Sequence, residues 1–234
     1  MFKLRRFGGR RSKCEEQNLP SGSTVLIHIG KSGGRTVRDG IKNAVRNHVD
    51  HEVHIRQPVY RHDLNYVVVA RAPIPRLESA FRWRHKILLD DGNQRDRFQG
   101  EYDVLKRYSS LNAIAEKLYD DKGVADPEAH GDIKKIHHIR ENMSFYLRDL
   151  LSLCSPEQIV AVLMQESLDR DIERVFGYEN LLRKHRNDEN SSGSHLSEHA
   201  ISNLRRCFYS DFEALIKLYS WGKIDREVFL MACK

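Results

Sequence analysis

Three short apolar runs organise the chain: Thr24-Val25-Leu26-Ile27-His28-Ile29, Tyr66-Val67-Val68-Val69-Ala70, and residues 159–164. Each is too short for a helix and lacks the alternation of a half-exposed strand, which predicts strands buried on both faces. A weaker candidate, 53–55, lies in the polar, histidine-rich stretch 48–62 and extends to His51-Glu52-Val53-His54-Ile55 at most. Between the runs the apolar period becomes helical. Residues 35–47 present Val37, Ile41, Ala44 and Val45 on one face. A helix opens at Pro73 and Pro75, since proline is tolerated in a first turn. Further helices are predicted over 102–119, 140–153, 167–176 with Ser167 as cap, and 197–218. Strands alternating with helices predict an α/β protein with a mainly parallel central sheet flanked by helices.

The length of 234 residues suits one such domain, expected over 23–234 behind a basic flexible tail at 1–22. Charged loops are expected at 90–100 and 187–194. No apolar run approaches the roughly 20 residues that cross a bilayer, and residues 1–13 lack the apolar stretch of a secretory signal. A cytoplasmic location is therefore expected. Cys14, Cys154, Cys207 and Cys233 are far apart and form no CxxC pair, which argues against a zinc or disulfide framework. The net charge of +6 points to an anionic ligand: a nucleotide, an acidic glycan or a nucleic acid.

The segment His28-Ile29-Gly30-Lys31-Ser32-Gly33-Gly34-Arg35-Thr36 narrows that choice, because it sits at a predicted strand-to-helix junction. Glycines let the backbone approach an anion, and the following helix offers unpaired amides and the positive end of its dipole. Lys31 adds a charge, while Ser32 and Thr36 add hydroxyl donors. Gly30-Lys31-Ser32 also reads as the end of a Walker motif, but that motif needs a glycine where this chain has Val25. The Walker reading fails. A second anion element is Arg71, just past the second strand, followed eight residues later by Ser79 on the next helix. Ligands of open α/β sheets bind at such strand ends.

Together these segments resemble the sulfotransferases that use 3'-phosphoadenosine 5'-phosphosulfate (PAPS), especially the carbohydrate branch with its heparan sulfate enzymes and bacterial relatives. HIGKSGGRT is similar to that family's 5'-phosphosulfate loop, close to HIPKTGGTS. VVVARAPIPRLESAF is similar to its 3'-phosphate element, close to RDPxxRxxSxF. The resemblance implies that Lys31, Gly33, Gly34, Arg35 and Thr36 hold the 5'-phosphosulfate. It implies that Arg71 and Ser79 hold the 3'-phosphate, and that Arg76 is structural. Residues 163–177 and 196–212, with Tyr209 and Asp211, resemble later family segments, so the likeness spans about residues 24–219. Gly30 stands for the usual proline and Ala72 for the usual aspartate, so a carboxylate orienting Arg71 must come from elsewhere. The implied fold is a P-loop-like three-layer α/β fold.

The implied reaction moves a sulfuryl group from PAPS to an acceptor hydroxyl, with a glycan as the expected acceptor and no metal required. Lys31 would meet the charge that develops on the leaving oxygen. The base lies among the histidines and glutamate between the two anion elements; His54 is preferred, with His51 and Glu52 as rivals. Arg82, Arg84, His85, Lys86 and Arg95 are candidate contacts to an acidic acceptor. Two other classes remain: a nucleotide-dependent kinase or phosphotransferase, and a basic nucleic-acid-binding module. Nothing in the chain resembles a recognition helix or a stacking motif, so no nucleic-acid partner is expected.

Overall fold

The computed structural model describes residues 15–42, 44–178 and 195–234, without the side chains of Arg35 and Asp39. Its strands are β1 Thr24–His28, β2 His51–His54, β3 Asn65–Ala70 and β4 Ile159–Met164. They form one sheet in the order β2-β1-β3-β4, and every neighbouring pair is parallel. The helices are α1 Gly34–Lys42, α2 Pro73–His85, α3 Glu101–Arg107, α4 Leu111–Ala115 and α5 Pro127–Ile133, followed by α6 Met143–Leu153, α7 Leu168–Phe176, α8 Glu198–Cys207, α9 Tyr209–Ser220 and α10 Arg226–Ala232.

The two-residue period of the strands divides their side chains between two layers. Val25, Ile27, Tyr66, Val68 and Val162 pack with Tyr146, Leu150, Leu215 and Val228 of α6, α9 and α10. Leu26, Val67, Val69 and Leu163 face Val37 of α1 and Ile172, Val175 and Phe176 of α7. Helices thus cover both faces, giving a three-layer α/β fold. A further apolar cluster, made by α2 to α5 and α8, contains no strand residue.

The chain leaves β1 toward β2 on one side and leaves β3 toward β4 on the other. The carboxyl ends of β1 and β3 therefore flank the point where the winding reverses, which is where open α/β sheets form a ligand crevice.

Several expected boundaries move. The helix expected over 35–47 ends at Lys42, and Val45, placed on its apolar face, is 81% exposed. The amides of Val45 and Arg46 instead donate to the Phe176 carbonyl, satisfying the end of α7. The helix expected over 102–119 breaks after Arg107, and Ser110 caps α4 by accepting from the Ala113 amide. That expected over 140–153 starts at Met143, capped by Asn142. That over 197–218 divides at Phe208 into α8 and α9, with Ser197 capping the first. Ser167 does not cap α7; its hydroxyl donates to Asp171 Oδ2 at 2.8 Å. Helices α5 and α10 were not anticipated.

The stretch expected as a flexible tail through residue 22 is described from residue 15 onward. Glu16 is buried, with Arg56 at 2.5 Å and the Val59 amide at 3.1 Å on its carboxylate. Residues 1–14 and the loop expected at 187–194 lie outside the described residues. Among the described residues, no helix is long and apolar enough to cross a membrane.

Candidate active site

The loop after β1 turns sharply: Lys31 has φ 70° and Gly33 has φ 86°. Helix α1 then starts with the Thr36 and Val37 amides donating to the Gly33 carbonyl at 3.0 and 3.3 Å. The earlier amides of the first turn have no intrahelical partner, as at any helix start, the arrangement that makes helix N-termini suited to anions. Close packing fixes the glycines. A Cβ on Gly33 would lie 1.9 Å from Gln165 Oε1, and one on Gly34 would lie 1.7 Å from His28 Nε2. Ser32 is buried and its hydroxyl has no hydrogen-bond partner, while Thr36 is half-buried. The Lys31 ammonium sits 4.4 Å from the ring centre of Trp83 on α2.

The second element lies alongside. The Ile29 amide donates to the Val69 carbonyl at 3.3 Å, so the loops leaving β1 and β3 start one strand spacing apart. Arg71 follows β3 at once. Its Nε is buried and has no hydrogen-bond partner, and burial draws the guanidinium pKa below its ordinary value against the opposing pull of Glu166 and Glu78. Glu166 also accepts the Ala72 amide at 3.0 Å. Glu166, in the turn after β4, is thus the carboxylate whose charge favours the ionised Arg71 most, although no hydrogen bond joins the two. Ser79 is half-exposed on α2, two turns beyond Arg71, and no bond joins the two.

Arg76 is structural, as the resemblance implied. It is fully buried, and its Nη1 donates to the carbonyls of Gly30 at 3.4 Å, His138 at 2.8 Å and Glu141 at 3.4 Å. Its Nη2 stands 3.8 Å from the buried Asp211 carboxylate, whose pKa burial raises and Arg76 partly restores.

Beside the loop, β1 and β2 end in register, with His28 opposite His54. Their rings stack with centroids 4.2 Å apart. His54 Nδ1 lies 2.9 Å from the His28 carbonyl oxygen, which can only accept. The proton is therefore on Nδ1, and Nε2 carries a lone pair. Burial, helped by His28, lowers the His54 pKa to about 4, so the ring is neutral at physiological pH. This is the protonation state that a general base needs.

The rivals do not share that geometry. Glu52 is gripped by Arg38 through Nε at 2.9 Å and Nη2 at 2.8 Å, and accepts from His28 Nδ1 at 2.8 Å. Burial opposes its ionisation, but the bonds to His28 and Arg38 win and bring its pKa to about 2, too acidic to take a proton. It orients His28 instead. His51 pairs with Val25 at the opposite end of the strands, and its Nε2 lies 3.0 Å from Arg56.

Of the expected acceptor contacts, Arg84 is withdrawn: it is buried in a two-point pair with Glu101 at 2.7 and 2.8 Å. Lys86 pairs with Asp91, and Arg95 lies over Tyr102. Arg82 is exposed one residue before Trp83.

Sequence reasoning gave His28 no role of its own and set aside His137 and His138, in the run HHIRE, as lacking a matching metal-ligand cluster. His28 had a signal in its spacing to Gly34, whose bare Cα leaves room for the imidazole. The buried side chains of His137, His138 and Glu141 bring potential metal-ligand atoms within 4.8 Å of one another. The Glu141 carboxylate already receives Arg140 Nε at 2.5 Å and the His138 amide at 2.7 Å. Arg84 and Arg140 also place positive charge on His137, so the cluster is better suited to ion pairing than to a cation. No protein-family model, curated protein or solved structure matches this chain.

Proposed function

We propose that the protein is a sulfotransferase that moves a sulfuryl group from PAPS to an acceptor hydroxyl, with a carbohydrate as the expected acceptor. One observation carries the reading. Two anion elements, the Gly30–Thr36 loop with Lys31 and the half-buried cation Arg71, meet at the switch point between β1 and β3, and the neutral imidazole of His54 stands at the rim.

The roles follow from these positions. The loop amides, with Thr36, hold the 5'-phosphosulfate. Arg71 binds the 3'-phosphate, and Ser79 is assigned to the same group. His54 Nε2 takes the proton of the acceptor hydroxyl as that oxygen bonds to sulfur. The bond from sulfur to the 5'-phosphate oxygen breaks, and Lys31 stabilises the charge left on that oxygen. Reaching it requires the ammonium to leave the face of Trp83. Donor binding is therefore expected to change the emission of Trp83, with Trp83→Phe as the control that removes the signal.

Calorimetry tests the donor assignment. A charge-assisted bond contributes about 1.5–3 kcal/mol, so 3'-phosphoadenosine 5'-phosphate should bind at least about tenfold more tightly than AMP. Arg71→Ala should erase that preference. Equal binding of the two nucleotides by the unaltered protein contradicts the assignment. Thermal stabilisation by magnesium–ATP, without any by 3'-phosphoadenosine 5'-phosphate, would favour a kinase or phosphotransferase instead.

A further inference from the structure

His138 adopts φ 67°, a left-handed backbone that costs a residue other than glycine about 1–3 kcal/mol. Two buried charged groups hold it there. Its amide donates to Glu141 Oε2 at 2.7 Å, and its carbonyl accepts from Arg76 Nη1 at 2.8 Å. The strain therefore has a dedicated support.

That backbone lays the ring against the donor loop. A Cβ on Gly30 would come within 2.6 Å of His138 Nδ1, so Gly30 is where the imidazole fits. Nδ1 is buried and has no hydrogen-bond partner. A buried N–H without an acceptor loses its full hydration, whereas a lone pair against the Gly30 Cα–H group loses less. The ring proton thus belongs on Nε2. The ring centroid lies 6.4 Å from that of His54 and 4.2 Å from that of His137, and His137 and Lys31 are close enough to depress ionisation. Burial comes first among the causes that bring the His138 pKa to about 2, so the imidazole is neutral.

We propose that His138 is a second imidazole of the active site, which donates Nε2–H to an oxygen of the sulfuryl group in transfer while His54 accepts the hydroxyl proton. The two rings hold opposite tautomers: His54 carries its proton on Nδ1 and offers a lone pair, and His138 offers a donor. No covalent bond forms to His138, and its proton stays on the ring. The role rests on the sulfotransferase reading.

Two measurements on the full chain test it. Nitrogen-15 histidine spectra at pH 6 should show His138 neutral with its proton on Nε2. In kinetics with PAPS and a glycan that the unaltered protein sulfates, His138→Gly keeps the left-handed backbone but lacks the donor. It should lower kcat about 10²–10³-fold, with affinity for 3'-phosphoadenosine 5'-phosphate within about twofold. His138→Asn also tolerates the left-handed backbone and brings an amide donor, so it should recover about tenfold of that loss. A proton on Nδ1, full turnover in His138→Gly, or equal loss of turnover and nucleotide affinity in both variants overturns the proposal. Each of these leaves the sulfotransferase reading standing if the unaltered protein binds 3'-phosphoadenosine 5'-phosphate. Failure of the unaltered protein to bind it removes that reading and the role of His138 with it.

Discussion

Lys31→Ala is expected to lower kcat about 10²–10³-fold, the usual cost of removing one group that meets developing charge in a transition state. The backbone of Lys31 is left-handed, a cost that lysine already carries and alanine keeps. Lys31→Asn, which tolerates that conformation, serves as the second variant and should lose a similar factor. The loss should fall on kcat more than on nucleotide affinity, because the loop amides and Arg71 remain. Steady-state kinetics with PAPS, paired with calorimetry on 3'-phosphoadenosine 5'-phosphate and a melting curve, separates the two effects. Near-normal turnover in both variants would contradict the assignment of the loop.

His54→Ala should lower turnover by about 10²–10⁴-fold, the range for loss of a positioned base. The pH profile carries more information than the loss itself. The pKa of His54 is lowered to about 4, so its neutral, proton-accepting form predominates above that value and declines below it. kcat/KM, which follows the free enzyme, should therefore be flat from pH 5 to 8 and fall only as pH drops through about 4. An acidic limb centred near 6.5, the ordinary histidine value, would show that the group in control is not this buried imidazole. The stack on His28 and the bond to its carbonyl fix the ring, so His28→Ala should weaken turnover through the position of His54. Glu52→Gln should do the same to a smaller degree, since glutamine can still accept from His28 Nδ1.

Much of this fold was legible in the chain because its strands are buried on both faces. Val25 to Ile29 and Val67 to Ala70 lie at or below 7% exposure, so their apolar runs had no alternation to confuse them with surface strands. The loop was legible for a similar reason: Gly33 and Gly34 stand where Gln165 and His28 leave no room for a side chain. The helix breaks were not. Apolar spacing continues across Tyr108 and Phe208, both buried, so the periodicity gives no sign that the backbone stops. His138 was hidden for another reason. Its place depends on Arg76, Glu141 and Gly30 at once, and such a meeting exists only after folding. The place of His54 at the end of a strand was legible; its tautomer and neutrality depend on burial and on His28, one strand away.

The buried pair of Arg76 with Asp211 has a consequence for the order in which the molecule is made. All four strands are complete once Met164 has been synthesised, whereas Asp211 follows much later in the chain. Until it arrives, burying Arg76 would leave a charge in the core without its counterion, at a cost of several kcal/mol. A nascent chain can therefore pair its strands early, yet it cannot draw the Gly30 and His138 carbonyls together around the guanidinium. The Gly30 loop and the His138 turn are therefore expected to reach their final contact only after α9 has been made. The same dependence works in reverse on heating: loss of α9 is expected to strip the counterion from Arg76 and, with Leu215, the cover from one face of the sheet.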